Sequence, residues 1–394
     1  MSGWSIGRAA LLAVLSAAAG GCFGDLPQAV PGTVYELEGE RFRVETVAAN
    51  LEIPWAIAWL PDGRLLVTER PGRLSVVENG TARLLTRVQG VHSGEEQGLM
   101  GLVVSPNFAA DRTLYLSYTT IKGLGRVNRL ASFVLEETQL RLQRVLAEAP
   151  ANDHHNGMPL RLGTDGKLYA GTGDSWRPEL AQRADSLAGK ILRMNVDGSA
   201  AADNPLLGSV VYALGLRNCQ GLDWDAAGRL LAMDHGPSIF TETYSGDDEM
   251  NWIRPGGNYG WPSHYGSDTG ASHGFLAPVR LWEHPIAPAG AAYYPGGPLA
   301  RWKGLFFFAT LRGQALYACR LVQADNGQGL RAERVIRSLY RQFGRLRAVA
   351  VGPDGFLYLT TSNRDLRGKP GPQDDRILRL VPASHPPQSA RQTP

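Results

Sequence analysis

One histidine and one aspartate in this chain have the types and the spacing of a catalytic base and the carboxylate that orients it. His155 stands in a His-Asn-Gly turn, and Asp174 ends a Gly-Thr-Gly-Asp segment 19 residues later. An imidazole held by a carboxylate can remove a proton near neutral pH. A lone turn histidine is more often structural, so the hypothesis requires that Asp174 lie beside the ring.

Three arginines are candidates for binding an anionic ligand. Arg217 lies in the segment Gly-Leu-Arg-Asn-Cys-Gln-Gly, where a guanidinium could bind a carboxylate through two parallel hydrogen bonds. A structural ion pair at the end of a strand explains Arg217 equally well. Arg345 and Arg347 alternate along a predicted strand, so both side chains share one face. Inside a pocket such a pair favours an anion, whereas the alternative is a solvated strand edge.

Clustered carboxylates beside glycine-rich segments indicate a cation site. The segment Asp-His-Gly-Pro at 234–237 is followed by the acidic segment 246–251 and by the glycine-rich segment 256–262. Calcium takes about six to eight oxygen ligands, many of them backbone carbonyls, and such segments supply both carboxylates and carbonyls. The ligand spacing is not that of an EF-hand. The alternative is a solvated acidic loop.

The elements that must position these residues repeat along the chain. An apolar strand, a turn built on Pro-Asp-Gly or Asp-Gly, and a second strand recur around residues 61–63, 164–166 and 353–355. Glycine accepts the positive φ that tight hairpins need. Repeats of roughly 40 to 60 residues, each with several strands, predict a β-propeller. A six-bladed β-propeller of four-stranded antiparallel blades fits residues 36–382, so the sequence predicts an all-β catalytic domain.

The composition narrows the class of ligand. The 394-residue chain carries 40 Lys and Arg against 37 Asp and Glu, a net charge of +3. Such a balance predicts no binding of nucleic acid and favours a small, uncharged substrate. Cys219 and Cys319 are expected to be buried free thiols, with a disulfide as the alternative. A propeller has no helical dimer seam, so a monomer is expected.

The first residues are typical of an export signal. Residues 9–19 are apolar but too short to span a bilayer, and small residues precede Cys22. Residues 1–21 are predicted to be a lipoprotein signal, with Cys22 lipidated and 22–35 a tether; the alternative is an ordinary secretory signal. The protein is therefore expected in the periplasm, anchored to a bacterial membrane only through Cys22, or secreted. Residues 383–394 are predicted to be a disordered tail.

Several motifs in this chain resemble those of the PQQ-dependent aldose sugar dehydrogenases and soluble glucose dehydrogenases. They are Leu-Glu-Ile-Pro-Trp-Ala at 51–56, Thr-Glu-Arg-Pro-Gly at 68–72, the Arg-Asn segment at 217–221 and His-Gly-Pro at 235–237. The resemblance implies a six-bladed propeller that binds PQQ and calcium and oxidises the C1 hydroxyl of aldoses to lactones. It also implies an external electron acceptor, with His155 as the base and Asp174 as the carboxylate that orients it.

The resemblance implies roles for further residues. The positions that match cofactor-binding residues are Glu96, Arg217, Asn218, His235, Arg312, Arg345 and Arg347. The positions that match calcium ligands are the carbonyls of Gly236 and Pro237 at PQQ, and Glu249 and Tyr259 at a separate structural ion. Calcium at PQQ would polarise the quinone as a Lewis acid.

The chain departs from the family pattern at a few positions. Met158-Pro159 stands where Gly-Arg is common, Cys219 replaces a proline, and Ala348 stands at a frequent aspartate. Arg312 stands near a position where the glucose enzymes carry a lysine. These changes concern substrate range and PQQ affinity more than the fold. Two other functions remain open: a PQQ-free calcium-binding propeller acting as a lactonase-like hydrolase, and a non-catalytic binding module.

Overall fold

The computed structural model consists of antiparallel sheets arranged as the blades of a propeller. It describes residues 30, 32–237, 246–266, 273–324 and 329–386. The predicted signal at 1–21, the lipidation site Cys22 and most of the predicted tether lie outside the described residues, as do residues 387–394 of the predicted tail.

In chain order the strands begin with β1 (Val34–Leu37) and β2 (Glu40–Ala48). Blade 1 consists of β3 (Pro54–Trp59), β4 (Leu65–Glu69), β5 (Arg73–Glu78) and β6 (Thr81–Arg87). Blade 2 consists of β7 (Leu99–Val104), β8 (Thr113–Lys122), β9 (Gly125–Glu136) and β10 (Gln139–Pro150). Blade 3 consists of β11 (Gly157–Leu162), β12 (Leu168–Thr172), β13 (Lys190–Met194) and β14 (Val211–Leu214).

The second half of the ring continues this pattern. Blade 4 consists of β15 (Cys219–Trp224), β16 (Leu230–Asp234), β17 (Asp248–Ile253) and β18 (Arg280–Trp282). Blade 5 consists of β19 (Pro288–Tyr293), β20 (Leu305–Thr310), β21 (Ala315–Gln323) and β22 (Leu330–Ser338). Short helical turns connect some of these strands: α1 (Phe108–Asp111) and the 3₁₀ turns Pro178–Gln182 and Ala300–Trp302.

Blade 6 closes the ring by joining the two ends of the propeller. It contains β23 (Leu346–Val351), β24 (Leu357–Thr361) and β25 (Ile377–Pro382), and the early strands β2 and β1 complete the sheet. In the pairing of β2 with β25, Arg43 lies opposite Val381. The predicted six-bladed all-β propeller is confirmed, and the fifth strand of blade 6 adds to the expected four.

The first strands of the blades surround the central channel. Each contacts the first strand of the next blade, and β23 contacts β3, so the ring is continuous. A Cβ atom at Gly221 would lie 2.1 Å from the carbonyl oxygen of Ala289, so glycine is needed for this close approach. Arg161 of β11 crosses the channel and donates to the carbonyls of Leu222 and Ala291 at 3.0 and 2.9 Å.

The apolar core lies between the blades, because each sheet buries both faces against its neighbours. Trp302 is fully buried with Phe307 and Leu359 between blades 5 and 6. Its indole N–H donates to the carbonyl of Leu37 at 3.0 Å, which ties β1 to this core. Truncating a buried tryptophan costs about 3–5 kcal/mol, so Trp302 stabilises the closure of the ring.

Antiparallel pairing places the start of each first strand and the end of each second strand on one side of the ring, which we call the upper face. The segments that precede β11, β15 and β23 and those that follow β12 and β16 all open onto this face. Cys219 and Cys319 are buried and free, as expected. Within the described residues, no helix is long and apolar enough to cross a membrane.

Candidate active site

His155 and Asp174 meet on the upper face of blade 3. His155 precedes β11, in a left-handed conformation with a φ of 56°, and Asp174 follows β12. His155 Nδ1 lies 2.8 Å from Asp174 Oδ1. The carboxylate is fully buried and the histidine is 9% exposed. Pairing of β11 with β12 therefore converts a separation of 19 residues into direct contact.

Other donors fix the carboxylate of Asp174. Its Oδ1 accepts the backbone N–H of Trp176 at 2.9 Å, and its Oδ2 accepts the indole N–H of Trp261 at 2.9 Å. A carboxylate that accepts from Nδ1 assigns the ring proton to that nitrogen and leaves a lone pair on Nε2. The geometry therefore makes His155 Nε2 the proton-accepting atom of the site.

Arg217 is held close to this base by a buried aspartate. Asp234, at the end of β16, accepts the backbone N–H groups of Arg217 and Asn218 at 2.9 and 2.7 Å. Burial raises the pKa of Asp234 to about 6. The Arg217 guanidinium donates to the carbonyl of His235 at 3.1 Å and lies 5.4 Å from the ring centre of Trp261. Burial lowers the pKa of Arg217, although nearby carboxylates oppose this effect.

A chain of side-chain hydrogen bonds links blade 4 to blade 6 across the channel. Gln220 donates to the Asn218 side chain at 3.0 Å and accepts from Arg347 at 2.8 Å. Arg347 lies 5.4 Å from the ring centre of Trp55, and burial lowers its pKa to about 10. Its Nε has no hydrogen-bond partner among the residues that the structure describes. Arg347 therefore retains a buried donor that a ligand could satisfy.

Arg345 has a carboxylate partner that sequence reasoning missed. Its Nε donates to Asp365 at 2.9 Å, and both side chains are almost fully buried. Burial alone would raise the pKa of Asp365, but Arg345 and Arg347 hold it below its usual range. Arg345 directly precedes β23 and Arg347 is the second residue of that strand, and the charges of both act on Asp365.

Glu96 supports the backbone of the base. Its Oε2 accepts the backbone N–H of His155 at 2.9 Å, and its Oε1 lies 3.2 Å from Arg367 and 3.5 Å from His154. Burial would raise the pKa of Glu96, but these partners together hold it well below its usual range. Both oxygens of Glu96 are therefore engaged by the protein, which makes it a positioning residue for His155.

His235 and Asp248 shape the next loop of the upper face. The His235 ring donates from Nε2 to the carbonyl of Pro288 at 2.6 Å, and burial lowers its pKa to about 3, so the ring is neutral. Asp248 accepts the backbone N–H of Gly236 at 2.9 Å and that of Ile286 at 2.7 Å. Burial raises the pKa of Asp248 to about 7. These contacts fix the segment that carries Gly236 and Pro237.

The carboxylate of Glu249 is a candidate calcium ligand, buried beside the side chain of Asn251. Its carboxylate accepts from the side chain of Asn251 at 3.0 Å and from the backbone N–H of Gly266 at 3.3 Å. The Oδ1 atom of Asn251 is buried without a partner among the described residues. Burial raises the pKa of Glu249 to about 8. The described residues contain no cluster of three His, Cys, Asp or Glu suited to a metal, so most ligands here would be amide and carbonyl oxygens.

Two predicted site residues lie apart from the base. The Tyr259 hydroxyl bonds the carbonyl of Trp252 and the N–H of Arg254 at 2.6 and 2.9 Å, toward the other end of β17 from Glu249. The Tyr259 hydroxyl is therefore already engaged by the backbone of the protein. Arg312 is exposed in the turn between β20 and β21, also on the upper face.

The departure at Met158-Pro159 places one residue in the core and one at the pocket, since Pro159 lines the central cavity together with Gln220 and Arg347. Met158 is 1% exposed and packs with Trp55 and Leu160 in the core between blades. Among the partners that sequence reasoning missed, Gln220 stands inside the Arg-Asn segment and could have been found there. Asp365 carries no comparable local signal, because its partner Arg345 lies 20 residues earlier in the chain.

Comparison with known proteins identifies the family. A family model described as glucose/sorbosone dehydrogenase matches residues 51–369. An aldose sugar dehydrogenase of Escherichia coli (strain K12) is 29% identical over 371 residues, which cover 86% of this chain and 93% of that protein. Quinoprotein glucose dehydrogenase B of Acinetobacter calcoaceticus is 29% identical over 349 residues, covering 78% of this chain and 71% of that protein.

A solved structure supports the same conclusion. The PQQ-bound form of an aldose sugar dehydrogenase from Streptomyces coelicolor aligns with a TM-score of 0.75 and 37% identity, covering 86% of this chain and 98% of that one. Since the family model spans most of the chain and these relatives are sugar dehydrogenases, the chain belongs to the glucose/sorbosone dehydrogenase family, which points to a sugar oxidoreductase.

Proposed function

We propose that this protein is a PQQ- and calcium-dependent dehydrogenase that oxidises the C1 hydroxyl of an aldose to the lactone. The observation that carries the proposal is the 2.8 Å contact between His155 Nδ1 and Asp174, which leaves the lone pair on Nε2. Arg217 donates to Nε2 at 2.9 Å, and the substrate hydroxyl is proposed to replace or share this hydrogen bond. In the reaction, Nε2 removes the hydroxyl proton of C1 while the C1 hydrogen leaves as hydride. PQQ, when bound, supplies the two-electron acceptor for that hydride. An external acceptor then takes the electrons.

The side chains around the base fit a polyanionic cofactor. Arg217, Arg345 and Arg347 are buried or nearly so, and the Nε donor of Arg347 has no partner among the described residues. PQQ carries several carboxylates, and guanidinium groups bind carboxylates through paired hydrogen bonds. Asn218 and Gln220 add amide groups beside these arginines. His235, whose ring donates to Pro288, holds the loop beside them.

The oxygen donors on blade 4 fit calcium. The buried Glu249 carboxylate and Asn251 Oδ1, which has no partner among the described residues, are hard ligands. At the cofactor, the carbonyls of Gly236 and Pro237 are the proposed ligands, and Asp248 fixes their loop. Calcium there would act as a Lewis acid.

The proposal extends to the location and assembly of the protein. Residues 1–21 and Cys22 support export and lipid attachment, so the proposed sugar reaction would take place in the periplasm or outside the cell. We expect a monomer. Labelling with radioactive palmitate tests the lipid anchor. We expect the wild-type chain to incorporate the label and Cys22→Ala to incorporate none, whereas equal labelling of both proteins would contradict the anchor.

A reconstitution assay tests the proposed function. The mature domain is purified with a chelator, PQQ and calcium are added separately or together, and reduction of an artificial dye is followed with a panel of aldoses. We expect turnover only when both are present. Glu136→Gln, a variant of an exposed surface residue, controls for losses of activity during purification with the chelator. Absence of turnover together with absence of PQQ binding would contradict the proposal and favour the hydrolase or binding-module alternatives.

A further inference from the structure

Arg70 lies at the junction of blades 1 and 2 on the upper face. It follows β4 directly, its backbone N–H donates to the carbonyl of Ile53 at 3.1 Å, and its carbonyl accepts from Leu99 at 2.9 Å. A Cβ atom at Gly98 would lie 2.5 Å from Arg70 Cγ, so the side chain fills the space that this glycine leaves open. Arg70 is therefore packed against the segment that carries Glu96.

The Arg70 guanidinium is buried and has no partner among the described residues. The residue is 7% exposed, and within that part of the chain its Nε is buried without a hydrogen-bond partner. Across the part of the chain that the structure describes, its guanidinium makes neither a hydrogen bond nor an ion pair. The neighbouring carboxylates are already engaged, since Asp365 is paired with Arg345 at 2.9 Å and Glu96 with Arg367 at 3.2 Å.

The charges around Arg70 belong to the candidate active site. Asp365 and Glu96 attract the guanidinium, whereas Arg367 and Arg345 repel it, and Arg347 and Arg70 repel each other. Burial lowers the pKa of Arg70. A buried charge without a partner is destabilising, and a second cation nearby adds to that cost. An anionic ligand would remove both penalties.

We propose that Arg70 binds a carboxylate group of PQQ, an inference that rests on the proposed function. Two buried arginines, Arg70 and Arg347, each have an Nε donor with no partner among the described residues, so each retains a donor for the cofactor. A guanidinium presents its donors in a rigid fork that matches a carboxylate, so Arg70 would contribute both charge and orientation.

Two variants and one matched control separate binding from stability. Arg70→Met removes the charge but keeps much of the apolar stem, and Arg70→Lys keeps the charge. Arg193→Met is the control, because Arg193 is 6% exposed but fully paired, with Asp165 at 2.9 Å and Asp203 at 2.8 Å. The readouts are the Tm of the cofactor-free protein and the Kd for PQQ with calcium, measured without sugar.

We expect Arg70→Met to weaken PQQ binding by about 10- to 100-fold, the effect of losing a hydrogen bond between charged groups. The Tm of its cofactor-free form should equal or exceed that of the wild type, because an unpaired buried charge is gone. Arg70→Lys should recover part of the affinity. Arg193→Met should lower the Tm and leave the Kd unchanged. A Kd for PQQ in Arg70→Met equal to that of the wild type would overturn the inference.

The carboxylate could also belong to an acidic sugar, and steady-state kinetics distinguish the two sources. An unchanged PQQ Kd, with a raised KM for a uronic acid relative to a neutral aldose, would assign Arg70 to the substrate and overturn its assignment to the cofactor. A wild-type protein that binds no PQQ would overturn the proposed function itself. If the wild type binds PQQ and Arg70→Met binds it with the same Kd, only the proposed role of Arg70 would be overturned.

Discussion

The Arg217 guanidinium lies 2.9 Å from His155 Nε2, on the opposite side of the ring from Asp174. Arginine can only donate, so Nε2 must accept, and the histidine is neutral with its proton on Nδ1. The pair therefore sets the protonation state that a general base needs. A substrate hydroxyl would have to replace or share this hydrogen bond in order to reach Nε2.

Replacing the base tests its catalytic role. His155→Ala should lower kcat by about 10²- to 10⁴-fold, the usual contribution of a general base. The Kd for PQQ should change little, because the arginines remain. Steady-state dye reduction and a PQQ titration measure the two effects. Near-wild-type turnover in His155→Ala would show that another group removes the proton.

The indole of Trp261 is expected to act through Asp174. Trp261→Phe removes the N–H that donates to Asp174 Oδ2 at 2.9 Å but keeps an aromatic ring beside Arg217. Loss of one hydrogen bond to a carboxylate, about 1 kcal/mol, should lower kcat roughly fivefold. The pH profile of kcat should also shift, because Asp174 then holds the imidazole ring of His155 less firmly. A change confined to KM would assign Trp261 to substrate binding instead.

Gln220 is expected to support Arg347 in the folded protein. Gln220→Leu leaves the Arg347 guanidinium without its 2.8 Å acceptor. A buried charged donor without its partner costs about 1–3 kcal/mol, so the free energy of unfolding should fall by that amount. Denaturant unfolding of the cofactor-free protein measures it. Gln139→Leu, at an exposed position, is the control. An equal fall in the free energy of unfolding in the two variants would argue against a stabilising hydrogen bond between Gln220 and Arg347.

Glu96 makes stability depend on pH in a defined direction. Its pKa in the folded protein lies below the ordinary value of 4.5, so the ionised carboxylate stabilises the fold above that pH. The contribution is lost as the pH falls through the folded pKa. The difference in Tm between wild type and Glu96→Gln should therefore be largest near pH 7 and shrink below about pH 4.5. The exposed Glu95→Gln controls for the loss of a charge; a difference independent of pH would contradict the prediction.

Calcium binding at Glu249 predicts a metal-dependent gain in stability. Adding calcium to chelator-treated protein should raise the Tm, because a ligand that binds only the folded state stabilises it. Glu249→Gln should reduce this rise, since the buried carboxylate is the strongest ligand in the set. Differential scanning calorimetry over a series of calcium concentrations measures both. A rise of equal size in the variant would place the ion elsewhere.

The parts that the sequence predicted are those with local signals. The Asp-Gly turns predicted the hairpins of the blades, because their backbone conformation limits the residue type. His155 and Asp174 could be paired because two adjacent strands separate them. The glycine-bracketed segment around Arg217 and the alternation of Arg345 and Arg347 made them candidates, the resemblance added their role toward PQQ, and their positions on the upper face agree with a common pocket.

The remaining contacts join distant parts of the chain and therefore leave no local pattern. Gln220 and Arg347 are 127 residues apart, and their contact exists only because the first strands of blades 4 and 6, on either side of blade 5, both line the channel. Arg70 gave no signal beyond its place in the Thr-Glu-Arg-Pro-Gly motif. Glu96 was predicted at the cofactor, whereas its contacts make it a support for the His155 backbone.

The most direct test of His155 as the catalytic base is a single-turnover measurement on protein loaded with PQQ and calcium. An aldose is mixed with excess loaded protein without any dye, and the absorbance of PQQ is followed. We expect rapid reduction of PQQ by the wild type and a rate about 10²- to 10⁴-fold lower in His155→Ala, with PQQ still bound. Equal rates in the two proteins would contradict the assignment of His155 as the base.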